Sequence, residues 1–189
     1  MSARPALIMG LLVAIALYAQ SDEVSLALGD LVEGDADVNG NTEAFLAMIR
    51  AAEGTAGANG YYTLYGGQFF LEMDTHPAVR TYGEFNGRPG LDYTTAAGAF
   101  QITETTWRRL SAKLGLYNFS PETQDAMALE LIREKGALDD VREGRFDSAV
   151  AKLGGVWASL PSSTVPQPHR SFEFVRQAYQ AAGGTVATA

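Results

Sequence analysis

The chain has no cysteine among its 189 residues. Disulfides, thiolate metal sites, thiol nucleophiles and thiol redox switches are therefore excluded. Histidine is nearly as scarce. Only His76 and His169 occur, so a Ser-His-Asp triad or a zinc site would have to draw on these two. Basic charge is also thin: fourteen Lys and Arg are scattered among twenty-two acids, for a net charge of −8. No cationic stripe is left to track phosphates, and nucleic acid is not expected as a partner. No internal repeat and no nucleotide-binding glycine pattern occurs, and neither a cofactor nor a metal is expected. What is present is apolar content. With 47 % hydrophobic and 19 % charged residues, the chain supports one good core, hence one catalytic-size domain plus an appendage.

The appendage is N-terminal. Pro5 to Ala19 is an unbroken small-and-apolar run preceded by Arg4. As a helix it reaches roughly 22 Å, short of a hydrocarbon core of about 30 Å, and Gly10 and several alanines dilute its hydrophobicity. Two readings fit: a cleaved export signal with Ala14, Ala16 or Ala19 near the cut, or an uncleaved weak anchor that later leaves the bilayer. Either one makes the inner membrane a partner through residues 5–19, with Arg4 cytoplasmic and everything after Gln20 outside. Between Ser21 and Asn41 the chain is acidic and interrupted by glycines, and it reads as a solvated linker. The expected organisation is a membrane segment at 1–20, a linker at 21–40 and a folded domain at 41–189.

That domain opens with an amphipathic helix over Thr42 to Thr55. Phe45, Met48, Ile49 and Ala52 recur at three- and four-residue steps, and Glu53 follows Ile49 by four, so its carboxylate points along the buried stripe. Desolvation and the negative end of the helix dipole both raise the pKa of such a group. A general acid needs that environment; a carboxylate frayed into solvent at a helix end is the alternative. Tyr61 to Tyr65 and Gln68 to Met73 are β-prone runs joined by Gly66-Gly67, which predicts a tight hairpin. Tyr82 to Tyr93 is rich in Gly, Asn and Pro and predicts a long exposed loop. Helices are predicted through Trp107 and Leu114 to Gly115, from Ser120-Pro121 to Gly136, through Phe146 to Trp157, and through Phe172 and Tyr179 to Gly183. The sum is an α+β domain, mainly helical with one small antiparallel sheet.

A helix ending in Glu, a small sheet and a helical lobe, in that order, resemble the lysozyme-like fold, whose active-site cleft lies between sheet and helices. The match sharpens at particular residues. Glu53-Gly54-Thr55, Gly66-Gly67 with the aromatic run ending in Asp74-Thr75-His76-Pro77, and Ala97-Gly98-Ala99-Phe100-Gln101 resemble motifs of the lambda-type phage endolysins. Phe119-Ser120-Pro121, Gln124-Asp125-Ala126, Gly136-Ala137-Leu138 and Trp157-Ala158-Ser159-Leu160-Pro161 continue the resemblance collinearly. It implies a monomeric lytic transglycosylase that cleaves the MurNAc-GlcNAc bond of peptidoglycan glycan strands for host cell lysis, first membrane-held and then periplasmic. It also implies that Glu53 is the catalytic residue. Gln101 corresponds to the substrate-binding Gln that follows Gly-x-aromatic, here Gly98 and Phe100; capping of the next helix is its other reading. Tyr62 and Tyr65 are expected to stack on sugars or to pack the hairpin, and Trp157 to form a rim of the cleft or plain core. His76 is expected to be structural. Pro5 to Ala19 is an addition to the lambda-type pattern and resembles the signal-anchor-release segments of some phage endolysins.

A hydrolytic muramidase on the same fold is the enzymatic alternative, and it needs a second carboxylate. In the common phage muramidases an Asp nine positions after the Glu, and a Thr six beyond that, serve this role. Tyr62 and Gln68 stand at those spacings here, and no acid occurs between Glu53 and Glu72. Glu72, Asp74, Glu84 and Asp92 stay open as partners brought in by folding. A wall-binding protein that does no chemistry is the third reading, and an inward Glu53 argues against it because burying an acid costs stability.

Overall fold

The computed structural model describes residues 40–83 and 92–188. The segment expected at 1–20, the linker apart from Gly40, and Glu84 lie outside the described residues. The first apolar stripe forms α1 (Asn41–Glu53), closed by Gly54 in the left-handed conformation at φ 78. A 3-10 turn (Gly60–Tyr62) follows, then strands β1 (Thr81–Gly83) and β2 (Asp92–Thr94). The helical lobe comprises α2 (Glu104–Leu114), α3 (Pro121–Glu134), α4 (Leu138–Arg142), α5 (Phe146–Leu153) and α6 (Phe172–Ala181). Thr103, Ser120 and Ser171 cap α2, α3 and α6 by accepting from the amides of Thr106, Thr123 and Phe174.

The core forms around α1, which packs chiefly against α6 and also touches α3 and α4. Phe45, Met48 and Ile49 are fully buried. The Phe45 ring meets Phe146 and Tyr179 edge-on, each with centroids 6.1 Å apart, so α1, α5 and α6 share one aromatic cluster. Asn41 ties the start of α1 to two distant segments, donating to the Arg142 carbonyl at 3.0 Å and accepting from the Thr185 amide at 2.8 Å. The far end of α1, with Glu53, is thereby held in a fixed position.

The α+β class expected from the sequence holds, but the sheet is elsewhere. β1 and β2 pair antiparallel with Tyr82 opposite Tyr93, inside the stretch expected as a loop. The expected hairpin over 61–73 makes its turn, with Gly66 and Gly67 both at positive φ, but only one bridge, Thr63 to Phe69. Residues 60–62 wind into the 3-10 turn, and the amide of Tyr65 bonds to the Ala96 carbonyl at 3.0 Å. The run therefore pairs twice: within the hairpin, where the Leu64 amide donates to the Gln68 carbonyl at 2.7 Å and the Phe70 amide to the Tyr62 carbonyl at 3.0 Å, and at long range with residues 96–97. The helix expected to reach Trp157 ends at Leu153, before Gly154 and Gly155.

Candidate active site

A cavity of about 160 Å³ opens at the C-terminal end of α1, lined by Glu53, Tyr65, Thr94, Ala96, Gln101, Val156, Trp157, Ala158 and Gln167. Thr94 ends β2, so the small sheet abuts the cavity on one side. Glu53, Gln101, Tyr65 and Trp157, four of the residues singled out in the sequence, are brought together here.

Glu53 is half-buried and accepts a hydrogen bond of 2.6 Å from the Ser159 hydroxyl. Burial pushes its carboxyl above the ordinary value; the Ser159 hydrogen bond and the charge of Arg170 pull the other way without cancelling it. Arg170 also has a structural part. Its guanidinium donates to the Ala52 carbonyl at 3.0 Å, and its amide donates to the Ser159 carbonyl at 2.8 Å. One residue thus fastens the 159 segment to the last turn of α1. The arrangement is a protonatable carboxyl with one hydroxyl donor and one nearby cation, facing an open recess.

Immediately after Glu53, Thr55 is buried and its hydroxyl bonds to the Ala99 carbonyl, which joins the Glu-Gly-Thr turn to the loop carrying Gln101. That loop is tightly specified. Gln124 accepts from the Ala99 amide at 2.8 Å and donates to the carbonyls of Tyr61 and Phe119. Gln101 itself sits at φ 49, uncommon for a residue with a side chain, and its amide nitrogen donates to the carbonyls of Gly98 and Thr63 at 3.0 and 3.2 Å. Both partners are acceptors, so the amide orientation follows from them. The cap of α2 is Thr103, and Gln101 does not cap it.

The remaining expected site residues take packing roles. The Phe100 side chain is 1 % exposed and belongs to the core; its carbonyl accepts from the Trp157 indole at 3.1 Å. Trp157 is 3 % exposed, and it is both core and cavity wall, which joins the two readings. Gly98 has φ 76, and a Cβ there would stand 2.1 Å from Oε1 of Gln124, so it is small because the loop must pass that amide. Tyr62 lies outside the cavity, its ring tilted against Phe70 at 6.2 Å. His76 is structural as expected. It is buried, bonds the Ile102 carbonyl at 2.8 Å and accepts from the Ala78 amide at 3.0 Å.

Sequence reasoning missed Ser159, Gln167 and Arg170. Ser159 was visible only as a letter in the Trp157-to-Pro161 motif, and it reaches Glu53 from 106 residues away. No local periodicity marks Gln167 or Arg170, which stand in or beside a Pro- and Ser-rich loop. Glu72 and Asp74 are exposed, and neither they nor Asp92 line the cavity. Glu53 is the only carboxylate lining it among the described residues.

Comparison with known proteins gives a consistent picture. The endolysin family model matches residues 43–186. The endolysin of Escherichia phage P2 is 36 % identical over 159 residues, covering 78 % of this chain and 95 % of the relative. That of Escherichia phage lambda is 34 % identical over 156 residues, covering 79 % and 96 %. The solved structure of bacteriophage lambda lysozyme complexed with a chitohexasaccharide matches with a TM-score of 0.71 at 31 % identity, over 79 % of this chain and 98 % of that one. A second structure of lysozyme from bacteriophage lambda matches with a TM-score of 0.66. The region from α1 to α6, with the Glu53 cavity inside it, therefore belongs to the endolysin family and has its lysozyme-like fold.

Proposed function

We propose that this endolysin degrades peptidoglycan as a lytic transglycosylase, cleaving the bond between MurNAc and GlcNAc with Glu53 as the one acid and base. The observation that carries the reading is a single half-buried carboxyl with a raised pKa in a cavity that holds no second carboxylate among the described residues. Protonated Glu53 gives its proton to the glycosidic oxygen as the bond from that oxygen to the anomeric carbon breaks. The 6-hydroxyl of muramic acid then attacks the anomeric carbon, and its proton returns to the Glu53 carboxylate. The product is a 1,6-anhydro sugar, no water is consumed, and the enzyme is regenerated in its starting protonation state. A hydrolase would need a second group to activate water or to form a covalent intermediate, and the polar residues that line the cavity beside Glu53 include Gln101, Thr94 and Gln167 but no acid.

Two measurements test this. The purified full-length chain should lyse chloroform-treated cells, and Glu53→Gln should lower the rate by about 10² to 10⁴-fold, the usual share of general acid-base catalysis. Equal lysis by both would overturn the Glu53 assignment, and lysis by neither would leave a wall-binding role for the fold. Mass spectrometry of the released muropeptides should find anhydro-muramic ends; reducing ends would assign a hydrolytic muramidase instead.

The same proposal extends to location. Pro5 to Ala19 carries the domain across the inner membrane and lets go later, so that the protein acts in the periplasm. Its support is compositional: an uncharged apolar run too short for a stable span, followed by an acidic spacer.

A further inference from the structure

The groove does not stop at the Glu53 cavity. Gln101, Val156 and Trp157 also line a second cavity of about 280 Å³, which continues toward the ends of α2 and α3. Its walls there are Thr103, Thr106, Arg109, Glu134 and Lys135.

Charge distinguishes this second cavity from the rest of an acidic chain: Arg109 and Lys135 line it against one carboxylate, Glu134. Behind that wall Lys113, Arg133 and Glu130 extend the same ion-pair network. Both carboxylates are already engaged. Glu134 takes two hydrogen bonds from Arg109, at 2.6 and 2.9 Å, and one from Lys113 at 2.7 Å, and these hold its carboxyl down to about 2 against the opposing effect of burial. Glu130, 1 % exposed, lies 2.6 Å from Lys113 and 2.7 Å from Arg133. Lys135 forms no ion pair with any described residue and lines the cavity at the C-terminal end of α3. The network therefore fixes Arg109 and leaves one cation over.

A neutral glycan has no use for that cation, because sugar hydroxyls are served by amides, hydroxyls and aromatic faces. The anionic part of peptidoglycan is the peptide branch on the lactyl group of muramic acid, which ends in free carboxylates. We infer that the second cavity receives this peptide branch, with Lys135 pairing one of its carboxylates and the Thr106 hydroxyl, which accepts from Thr103 at 3.1 Å, left to donate to its backbone. The inference rests on the glycan-cleaving reading above and adds a determinant of substrate choice to it. The alternative role of Lys135 is local, a cation placed at the negative end of a helix, which affects stability but not substrate choice.

The test compares the full-length wild type with Lys135→Gln and Lys135→Glu on two substrates: glycan strands with intact peptide stems, and the same strands stripped of peptide by an amidase and then amidated at the lactyl carboxylates this leaves. On stem-bearing strands kcat/KM is expected to fall about fivefold for Lys135→Glu, in keeping with a partly exposed ion pair, and less for Lys135→Gln. On stripped strands both variants should match the wild type. Raised salt should narrow the gap on the first substrate only. Equal rates on both substrates for all three proteins, or the same loss on both, would overturn the inference. Cleavage of stripped strands by the wild type reports the glycan-cleaving reading separately, so the two failures are distinguishable. Lys135→Gln retains a side chain of similar length and guards against a folding defect in the charge reversal.

Discussion

Glu53 depends on a balance between burial, which holds its proton, and two groups that weaken the hold. Ser159 is the direct one, donating to the carboxylate form. Replacing it by Ala should raise the Glu53 pKa further, so the alkaline limb of the kcat/KM profile on purified glycan strands should move to higher pH. An unmoved limb would contradict the assignment of that limb to Glu53. A second titrating residue lies away from the cavity. Asp125 accepts from the Tyr61 hydroxyl at 2.9 Å, and burial lifts its pKa from 3.8 to about 6 in spite of that hydrogen bond and of the Arg50 charge. The native state therefore binds this proton more tightly than the unfolded state, so the contribution of Asp125 to stability falls as pH rises from about 4 to about 6 and is level beyond. Asp125→Asn, which keeps an acceptor for Tyr61, should be about 1–2 kcal/mol more stable than the wild type at pH 8. At pH 4 the two should unfold at the same temperature in calorimetry.

At the scale of elements, the loop from Ala97 to Ile102 matters most, since it carries Gln101 and receives bonds from Thr55, Trp157 and Gln124. Gly98→Ala combines an unfavourable φ with a Cβ driven into the Gln124 amide. It should cost about 2–4 kcal/mol, read as a lowered midpoint in urea, with activity lost in step. Helix ends were legible where their signals are local: Ser120 before Pro121 and Gly115 after Leu114 act where the sequence places them, whereas Gly54 closes α1 inside the stretch expected to be helical to Thr55. The sheet was not legible. Tyr61 to Tyr65 has strand-forming residues, and it pairs with Gln68, Phe69 and Phe70 as the hairpin predicts but also with Ala96 and Ala97, which only folding brings to it. The five-residue α4 likewise carries too little periodicity to be read.

For the whole molecule, the N-terminal run predicts behaviour that the domain alone does not. Replacing Gly10, Ala14 and Ala16 by Leu should keep the chain in the membrane fraction, because each change adds apolar surface to a marginal segment. Fractionation of expressing cells checks this; unchanged solubility, or a mature chain beginning near Leu17 or Gln20, would point to a cleaved signal. The amino-acid sequence by itself determined the absence of thiol chemistry, the α+β class and the amphipathic stripe of α1, since composition and periodicity are properties of neighbouring residues; it left Glu53 between a buried acid and a frayed helix end. Only the tertiary structure decided which groups surround that carboxyl. Ser159 and Arg170 reach the end of α1 from more than 100 residues away, and Lys135 comes to the same groove as Gln101 through the packing of α3 beside α2. Such placements depend on how buried surfaces fit together, and no spacing along the chain records them.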